Sequence, residues 1–236
     1  MVNAAIKDPH VFERLEKLVA GGFFPDAWMI AVDEVGRGPL FGPVTVGGVL
    51  FKVSELFDPQ LPDWGDLVND SKKLKASLRK QLSEQIQKRY VCHVSHVSVR
   101  YIDRYNINRA IQYGVYRTVG GLLARARALN EDPAVSYVLL DGNYRFEYPQ
   151  VRMTRQMPPI CTIVKGDEHL FHISCASILA KEERDRLMNV SARRFSAYGL
   201  DKNAGYGTLH HRNAILEHGV TPFHRKLFVK KILGQE

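Results

Sequence analysis

Apolar residues recur along the chain with two different spacings, and each spacing predicts a different kind of element. Short runs rich in β-branched residues predict strands, at 29–32, 44–53, 91–99, 135–140 and 160–164. Segments in which apolar residues recur every three or four positions predict helices, at 10–18, 77–89, 101–129 and from about 168 to 195. This order of elements predicts an α/β fold whose first three strands form an antiparallel meander.

Three of the predicted strands lead directly into acidic residues. Asp33 and Glu34 follow the first strand, Asp141 follows the fourth, and Asp167 lies just beyond the fifth. Sites in open α/β sheets form where strand ends meet, so we expect these four carboxylates to lie close together. Because side chains alternate along a strand, Asp33 and Glu34 can serve one site only if the strand ends there. The structural alternatives are a helix cap at Asp167 and a turn at Asp141 and Gly142.

The four acids also indicate which metal they would bind. Hard oxygen ligands suit Mg²⁺ or Mn²⁺ rather than zinc. Four carboxylates around two cations about 3.5–4 Å apart form the clamp for in-line phosphodiester cleavage. We therefore expect the same four acids to be both metal ligands and catalytic residues. Asp185 is left out of this set, because its place between Arg184 and Arg186 in a helix is typical of a structural ion pair.

A glycine-rich turn, Gly36-Arg37-Gly38, comes directly after the first acids. Glycine permits positive φ and lets the backbone approach a ligand closely. The guanidinium of Arg37 has a planar fork of donors that suits phosphate. The alternative is a solvated surface turn, which the strands on both sides of this segment make less attractive.

Composition adds a class of partner. Lys and Arg number 33 against 25 Asp and Glu, a formal net charge of +8. A positive surplus favours a polyanionic partner, nucleic acid first, although solubility alone would also account for it. The three cysteines predict neither a disulfide framework nor a zinc site. The first 18 residues lack the pattern of a signal peptide, and no apolar run approaches the ~20 residues of a membrane span, so we expect a cytoplasmic protein with no membrane partner.

Six motifs then occur in one order and span 31–228. They are DEVGRGPLFGPV from Asp33, DSKKL from Asp70, YIDRYNINRA from Tyr101, DGN from Asp141, KGDEHLFHISCASILAKEERDR from Lys165 and GYGTLHHRNAILEHGVTPFHRKLF from Gly205. Together they resemble bacterial type 2 ribonuclease H (ribonuclease HII). The resemblance implies an RNase H-like fold, with a mixed five-stranded sheet flanked by helices and a helical C-terminal extension. It divides the chain into a helical lead-in at 1–25, a catalytic core at 26–197 and an extension at 198–236 that completes the substrate groove.

The resemblance also implies a reaction. It is endonucleolytic hydrolysis of RNA paired with DNA, and nicking on the 5′ side of single ribonucleotides in duplex DNA, leaving 3′-hydroxyl and 5′-phosphate ends. Metal binding and catalysis fall to the four acids, with two Mg²⁺ or Mn²⁺ ions in the substrate complex. The resemblance assigns recognition of the ribose 2′-hydroxyl to Gly36, Arg37 and Gly38. It assigns further substrate binding to Lys165 and contact with the RNA–DNA junction to Tyr206.

The C-terminal part contains several residues whose roles stay open at this point. Asn203 and Ala204 stand where relatives often carry a basic residue that contacts phosphate. His210, His211 and His224 have no zinc-site spacing, so we expect phosphate contacts or plain packing. The last residues show no glutamine-led clamp-binding motif, and we expect a monomer.

Two other functions remain as alternatives. One is another RNase H-fold metal-dependent nuclease that acts on DNA in repair or at junctions. The Gly-Arg-Gly turn together with Tyr206 argues against it, because the 2′-hydroxyl distinguishes RNA from DNA. The other is a non-catalytic protein that binds hybrids. The four acids argue against it, since a phosphate binder gains nothing from negative charge at its site.

Overall fold

The computed structural model describes residues 5–20, 27–58, 60–68, 71, 73–129, 131–144 and 157–234. Its strands are β1 Trp28–Val35, β2 Val44–Lys52, β3 Val91–Val97, β4 Val135–Asp141 and β5 Ile160–Ile163. Its helices are α1 Pro9–Ala20, α2 Ala76–Arg89, α3 Val99–Ala128, α4 Gly166–His169, α5 Phe171–Arg194, α6 Leu200–Asn203, α7 Leu209–His218 and α8 Lys226–Val229. Short 3₁₀ segments occupy Val53–Leu56, Gly65–Leu67 and Ser196–Tyr198.

The five strands form one mixed sheet in the order β3-β2-β1-β4-β5. β1, β2 and β3 are antiparallel neighbours, which confirms the predicted meander. β4 is parallel to β1, and β5 is parallel to β4. Val32 of β1 pairs with Leu140 of β4, so the residues that follow them, Asp33 and Asp141, lie side by side at the same edge of the sheet.

Helices cover both faces of the sheet, as the alternation of buried side chains requires. On one face, Ile30 and Val32 of β1 pack with Val115 and Val119 of α3. On the other face, side chains from β1 and β2 pack with α1, α2 and α5. The glycines of β2 allow the closest approach of these layers. A Cβ at Gly47 would lie 2.5 Å from the Ala176 carbonyl oxygen, so α5 packs directly on the backbone of β2.

Two helices predicted as continuous are interrupted. The predicted helix from about 168 to 195 is wrong at its start, because Leu170 is extended and separates α4 from α5. Leu170 forms an isolated antiparallel bridge with Ile6, and the Phe171 amide donates to the Ala5 carbonyl oxygen. α3 is kinked at Asn106, which has φ 69° and ψ 170°.

The helical C-terminal part packs around its own cluster of apolar residues. This cluster joins α5, the loop after the Gly-Arg-Gly turn, and helices α6 to α8. Leu40 and Phe41 contribute from the loop, and Ile215 contributes from α7. The extension therefore packs against the segment that begins at the first acids. Among the described helices, none has the length and apolar character needed to span a membrane.

Candidate active site

Three of the four predicted acids form one cluster. Asp33 comes from β1, Asp141 ends β4, and Asp167 lies in the short helix α4. Each offers a carboxylate oxygen, and these three oxygens all lie within 4.8 Å of one another. Asp33 and Asp167 are buried, and Asp141 is half-buried. The prediction that strand ends would bring these side chains together is confirmed for all three.

Glu34 lies apart from this cluster on the wall of the same cleft. β1 stays paired with β2 through Val35, so the strand ends one residue beyond Glu34. Glu34 still lies close enough for its charge to raise the pKa of Asp33. Its carboxylate accepts a hydrogen bond from the Tyr144 hydroxyl and lies 3.5 Å from the Arg37 guanidinium.

The clustered acids raise each other's proton affinity. Burial raises the pKa of Asp33 well above its usual range, and the charges of Glu34 and Asp141 add to the effect. A hydrogen bond from the Ser177 hydroxyl opposes it. Burial is also the main cause of the raised pKa of Asp141, and the charge of Asp167 is the second cause. Carboxylates that are buried close together carry negative charge that a bound cation would neutralise.

A tight backbone turn positions two of these acids relative to each other. Asp141 Oδ1 accepts a hydrogen bond of 2.6 Å from the Gly166 amide and one of 3.4 Å from the Asp167 amide. Lys165, in the left-handed conformation at φ 54°, starts this turn. The side chain of Lys165 is exposed and does not line the cleft, so the structure keeps its backbone rather than its ammonium group near the acids.

The donor set fits Mg²⁺ or Mn²⁺. It consists of hard carboxylate oxygens from three separate elements, and burial together with the neighbouring negative charges raises the pKa of Asp33 and of Asp141. Divalent hard cations prefer such ligands. Asp33, Asp141 and Asp167 are therefore the residues of this structure that would hold a metal.

The Gly-Arg-Gly turn borders the same cleft and is supported from below by two buried arginines. Gly36 has φ +91°, and a Cβ there would lie 2.7 Å from the guanidinium carbon of Arg184. Arg225 donates to the carbonyl oxygens of Gly36 at 2.7 Å and Arg37 at 2.8 Å. It also donates to those of Gly42 at 2.9 Å and Pro43 at 3.0 Å. The turn is thus fixed through its carbonyl groups.

Arg184 supports the following loop in the same way. It donates to the carbonyl oxygens of Phe41 at 3.2 Å, Ala204 at 3.3 Å and, more closely, Pro43. Both guanidinium groups are almost fully buried, and burial lowers the pKa of Arg184 to about 10 and that of Arg225 to about 9. Sequence reasoning missed both residues, because a cation that binds backbone carbonyls leaves no acidic partner to find in the sequence.

Tyr206 stands across from this turn with its ring 45% exposed. A Cβ at Gly38 would lie 3.8 Å from the Tyr206 ring, which is ordinary contact distance. The backbone before it is attached to the turn, since the Leu40 amide donates to the Gly205 carbonyl oxygen at 2.8 Å. The structure therefore brings Gly36, Gly38 and Tyr206 to one wall of the cleft.

The cleft has a volume of about 780 Å³ and is lined by further polar residues. Four of them belong to α3 around its kink: Asn106, Asn108, Arg109 and Gln112. Sequence reasoning gave these residues no role, although Asn106, Asn108 and Arg109 lie within the YIDRYNINRA motif. Ser71 and Ser177 also line the cleft, with 2.9 Å between their hydroxyl oxygens. Asp70 and Lys72 of the DSKKL motif lie outside the described residues.

The remaining predicted residues have structural partners. Asp185 binds Arg79 at 2.7 Å and Lys181 at 2.6 Å, which confirms the predicted structural ion pair with different cations from its sequence neighbours. Asn203 is buried, and its side chain binds the Tyr198 carbonyl oxygen and the Gly205 amide, so it shapes the loop before Tyr206. His211 and His224 are buried and packed against each other, while His210 is exposed.

Comparison with known proteins identifies a family to which the chain is similar. A family model described as Ribonuclease HII matches residues 30–231. A Ribonuclease HII from Ruegeria sp. (strain TM1040) is 42% identical over 207 residues, which is 87% of this chain and 80% of the relative.

Solved structures share the fold. The ribonuclease H2 from Pyrococcus horikoshii OT3 has a TM-score of 0.64 at 20% identity, covering 88% of this chain and 98% of that one. Bst-RNase HIII in complex with Mn²⁺ has a TM-score of 0.65 at 18% identity, covering 92% and 72%. With its RNase H-like sheet and its cluster of three acids, the chain belongs to the ribonuclease HII family and is a metal-dependent endoribonuclease with ribonuclease H activity on RNA–DNA hybrids.

Proposed function

We propose that this enzyme also nicks duplex DNA on the 5′ side of a single embedded ribonucleotide, leaving 3′-hydroxyl and 5′-phosphate ends. The observation that carries the proposal is the position of the Gly-Arg-Gly turn and Tyr206 on one wall of the cleft that holds the acids. A site that selects a single ribonucleotide must contact one sugar and its neighbour, because the surrounding nucleotides are all DNA.

The turn supplies groups that suit a 2′-hydroxyl. That hydroxyl can both donate and accept a hydrogen bond. Because Arg225 binds the carbonyl groups of Gly36 and Arg37 from below, the turn is held rigid and needs no reordering when a sugar arrives. The absence of a side chain at Gly38 lets a sugar approach the backbone beside the Tyr206 ring. A deoxyribose fits against that ring, whereas a second 2′-hydroxyl would crowd it.

The acids supply the catalytic centre. When bound there, two Mg²⁺ or Mn²⁺ ions would activate the attacking water and stabilise the leaving 3′-oxygen. Asp33, Asp141 and Asp167 would hold them directly, and Glu34 would complete the set from the cleft wall. Arg37 and Lys165 would contact phosphates of the strand on either side of the sugar. The exposed guanidinium of Arg37 is already at the cleft, whereas the Lys165 side chain would have to reach it from the rim.

The proposal also covers the division of the chain, the oligomeric state and the location of the enzyme. The catalytic unit is 26–197, the lead-in is 1–25, and the extension 198–236 completes the groove through Tyr206 and Arg225. We propose that the enzyme is monomeric and cytoplasmic.

The test uses three duplexes of one sequence: all DNA, DNA with one ribonucleotide, and a continuous RNA–DNA hybrid. With Mg²⁺ we expect a nick at the ribonucleotide, with ends that a DNA polymerase can extend, and no cleavage of the all-DNA duplex. Cleavage of the hybrid alone would overturn the proposal. Cleavage of the all-DNA duplex would instead favour a DNA repair nuclease.

A further inference from the structure

Two buried histidines lie in direct contact behind the Tyr206 loop. His211 belongs to α7, and His224 lies in the segment that leads to Arg225. Their Nε2 atoms are 3.1 Å apart, and both rings are almost completely buried. The outer nitrogens also have partners. His211 Nδ1 lies 2.9 Å from the Tyr206 carbonyl oxygen, and His224 Nδ1 lies 2.9 Å from the Thr221 amide nitrogen.

These partners determine where each proton sits. A carbonyl oxygen only accepts, so His211 carries its proton on Nδ1 and donates to Tyr206. An amide only donates, so His224 Nδ1 is bare and accepts from the Thr221 amide, while the Thr221 hydroxyl oxygen lies 3.0 Å from the same nitrogen and can also donate to it. The proton of His224 is therefore on Nε2, from which it donates to the bare Nε2 of His211. The result is a chain of three hydrogen bonds in one direction, from Thr221 through both rings to the Tyr206 carbonyl oxygen.

The chain is complete only when both rings are neutral. A second proton on His211 would place two N–H groups face to face at 3.1 Å, and one on His224 would face the Thr221 amide. Burial lowers the pKa of His224 to about 4 and also lowers that of His211. The rings against the pair are those of Tyr198 and Phe41, and the charge of exposed His210 acts on His211. Within the described ranges, no carboxylate forms an ion pair with either ring.

Tyr206 depends on its backbone for its position, because much of its ring projects into the cleft. Its amide donates to the Asn203 carbonyl oxygen at 2.8 Å. Its carbonyl oxygen accepts from the Thr208 amide at 2.9 Å as well as from His211. His211 is thus the contact that connects the Tyr206 peptide to the 221–225 segment, and Arg225 of that segment fixes the Gly-Arg-Gly turn.

We propose that His211 and His224 are positioning residues for Tyr206, and that their hydrogen-bond chain sets the distance between the Tyr206 ring and the Gly-Arg-Gly turn. This inference rests on the proposed function, since that distance matters for a site that contacts two neighbouring sugars. The pair touches neither substrate nor metal, so it acts through Tyr206 on the orientation of the bound junction.

The first test is spectroscopic and needs no activity. In a ¹⁵N-¹H spectrum of histidine-labelled protein at neutral pH, we expect one ring protonated on Nδ1, the other on Nε2, and both neutral. Substitution His211→Asn should remove the Nδ1-protonated signal and His224→Gln the Nε2-protonated one. Two rings protonated on the same nitrogen, or an imidazolium at either position, would overturn the inference.

The second test compares variants that keep or lose one donor. His211→Asn retains an N–H near Nδ1, and His224→Gln retains one near Nε2, whereas phenylalanine at either position keeps the bulk and removes both. We expect His211→Phe to lower kcat on the single-ribonucleotide duplex by about tenfold relative to kcat on the continuous hybrid, with KM little changed. His211→Asn should restore most of this ratio. Exposed His210→Asn is the matched control.

The outcomes separate the two proposals. If the wild-type enzyme nicks the single-ribonucleotide duplex and every folded variant keeps the wild-type ratio of the two rates, the positioning role is wrong and the proposed function stands. If the wild-type enzyme cleaves only the continuous hybrid, the proposed function fails, and the positioning role fails with it although the spectra still show the chain. If His211→Phe does not fold, His224→Phe, which breaks the same chain, must show the lowered ratio, and a wild-type ratio in that variant would count against the inference.

Discussion

The guanidinium of Arg225 donates a hydrogen bond to the backbone carbonyl oxygen of Gly36, with 2.7 Å between nitrogen and oxygen. Arg225 is fully buried, and in the part of the chain that the structure describes it forms no ion pair with a carboxylate. Burying an unpaired cation is costly unless its donors are all used. Here the backbone carbonyl groups of one loop use them. The hydrogen bonds of Arg225 therefore fix the shape of that loop.

Arg225→Lys tests this relationship directly. A lysine ammonium cannot reach four carbonyl oxygens in the plane of a guanidinium, so some of them would be left buried without a donor. We expect a loss of about 2–3 kcal/mol in the free energy of unfolding, measured by urea denaturation. Arg212→Lys is the matched control, because exposed Arg212 also donates to one carbonyl oxygen, that of Gly207. Equal losses for the two variants would contradict the assignment.

Gly36→Ala separates backbone strain from contact with Arg184. Gly36 and Gly219 both have positive φ, but a Cβ at Gly36 would collide with the Arg184 guanidinium, whereas one at Gly219 meets nothing within 4 Å. Gly219→Ala should cost only the conformational penalty of its backbone at φ 78° and ψ −169°, about 1–3 kcal/mol. Gly36→Ala should cost more, and it should reduce cleavage of the single-ribonucleotide duplex. The prediction fails if both variants lose the same stability and activity.

Asp33→Asn tests the acid cluster without relying on activity alone. The raised pKa means that the charged form of Asp33 destabilises the metal-free fold at neutral pH. We expect the variant to be inactive, to bind hybrid, and to have a higher Tm than wild type in chelator. Mg²⁺ at about 100 times its Kd should stabilise wild type by about 2.7 kcal/mol and the variant by much less. Exposed Asp201→Asn should behave as wild type in all four measurements.

Tyr206→Ala tests contact with the junction. Removal of the ring should reduce nicking of the single-ribonucleotide duplex far more than cleavage of the continuous hybrid, because only the first substrate requires a deoxyribose beside the ring. Folding stability should change little, since the ring is 45% exposed. Leu209→Ala is the control for loss of an exposed apolar side chain nearby, with Leu209 76% exposed. Equal losses on both substrates would leave the Gly-Arg-Gly turn as the sole sugar contact.

His172 gives a prediction for the pH dependence of stability. Its ring stacks on Phe51 with 3.7 Å between centroids, and neither ring nitrogen has a hydrogen-bond partner among the described residues. Burial lowers the pKa of His172 from 6.5 to about 3. The unfolded chain therefore binds more protons between these values, and the stability present above pH 6.5 is lost as pH falls toward 3.

His172→Phe should remove this loss. Its advantage over wild type should grow by about 1.4 kcal/mol for each pH unit below 6.5, as measured by urea denaturation at several pH values. The same substitution at exposed His210 is the matched control. An advantage that is constant with pH would mean that His172 does not titrate as its burial requires.

Sequence reasoning placed the three clustered acids correctly. Asp33 lies near the end of β1, Asp141 ends β4, and Asp167 lies in the short helix just after β5, positions that local pattern alone predicts. Asp185 was also predicted correctly, as an ion pair. The break at Leu170 could not be predicted, because it depends on pairing with Ile6, far away in the sequence.

Arg184 and Arg225 escaped prediction for a related reason. Their partners are carbonyl groups, which every residue carries, so no sequence pattern marks them. Glu34 lies outside the cluster of three carboxylates, and no local pattern in the sequence distinguishes it from Asp33 beside it. The positive φ of Asn106 likewise depends on how α3 turns beside the cleft.

Gly36 and Arg225 are separated by 189 residues. At ~5–20 residues per second, ribosomal synthesis of that interval takes roughly 10–40 s. All three clustered acids have been synthesised once the chain reaches Asp167, well before the segment that fixes the Gly-Arg-Gly turn. During synthesis the nascent chain can therefore complete its set of carboxylates while the turn still lacks its support. The support of the turn is therefore the last part of the cleft that synthesis supplies.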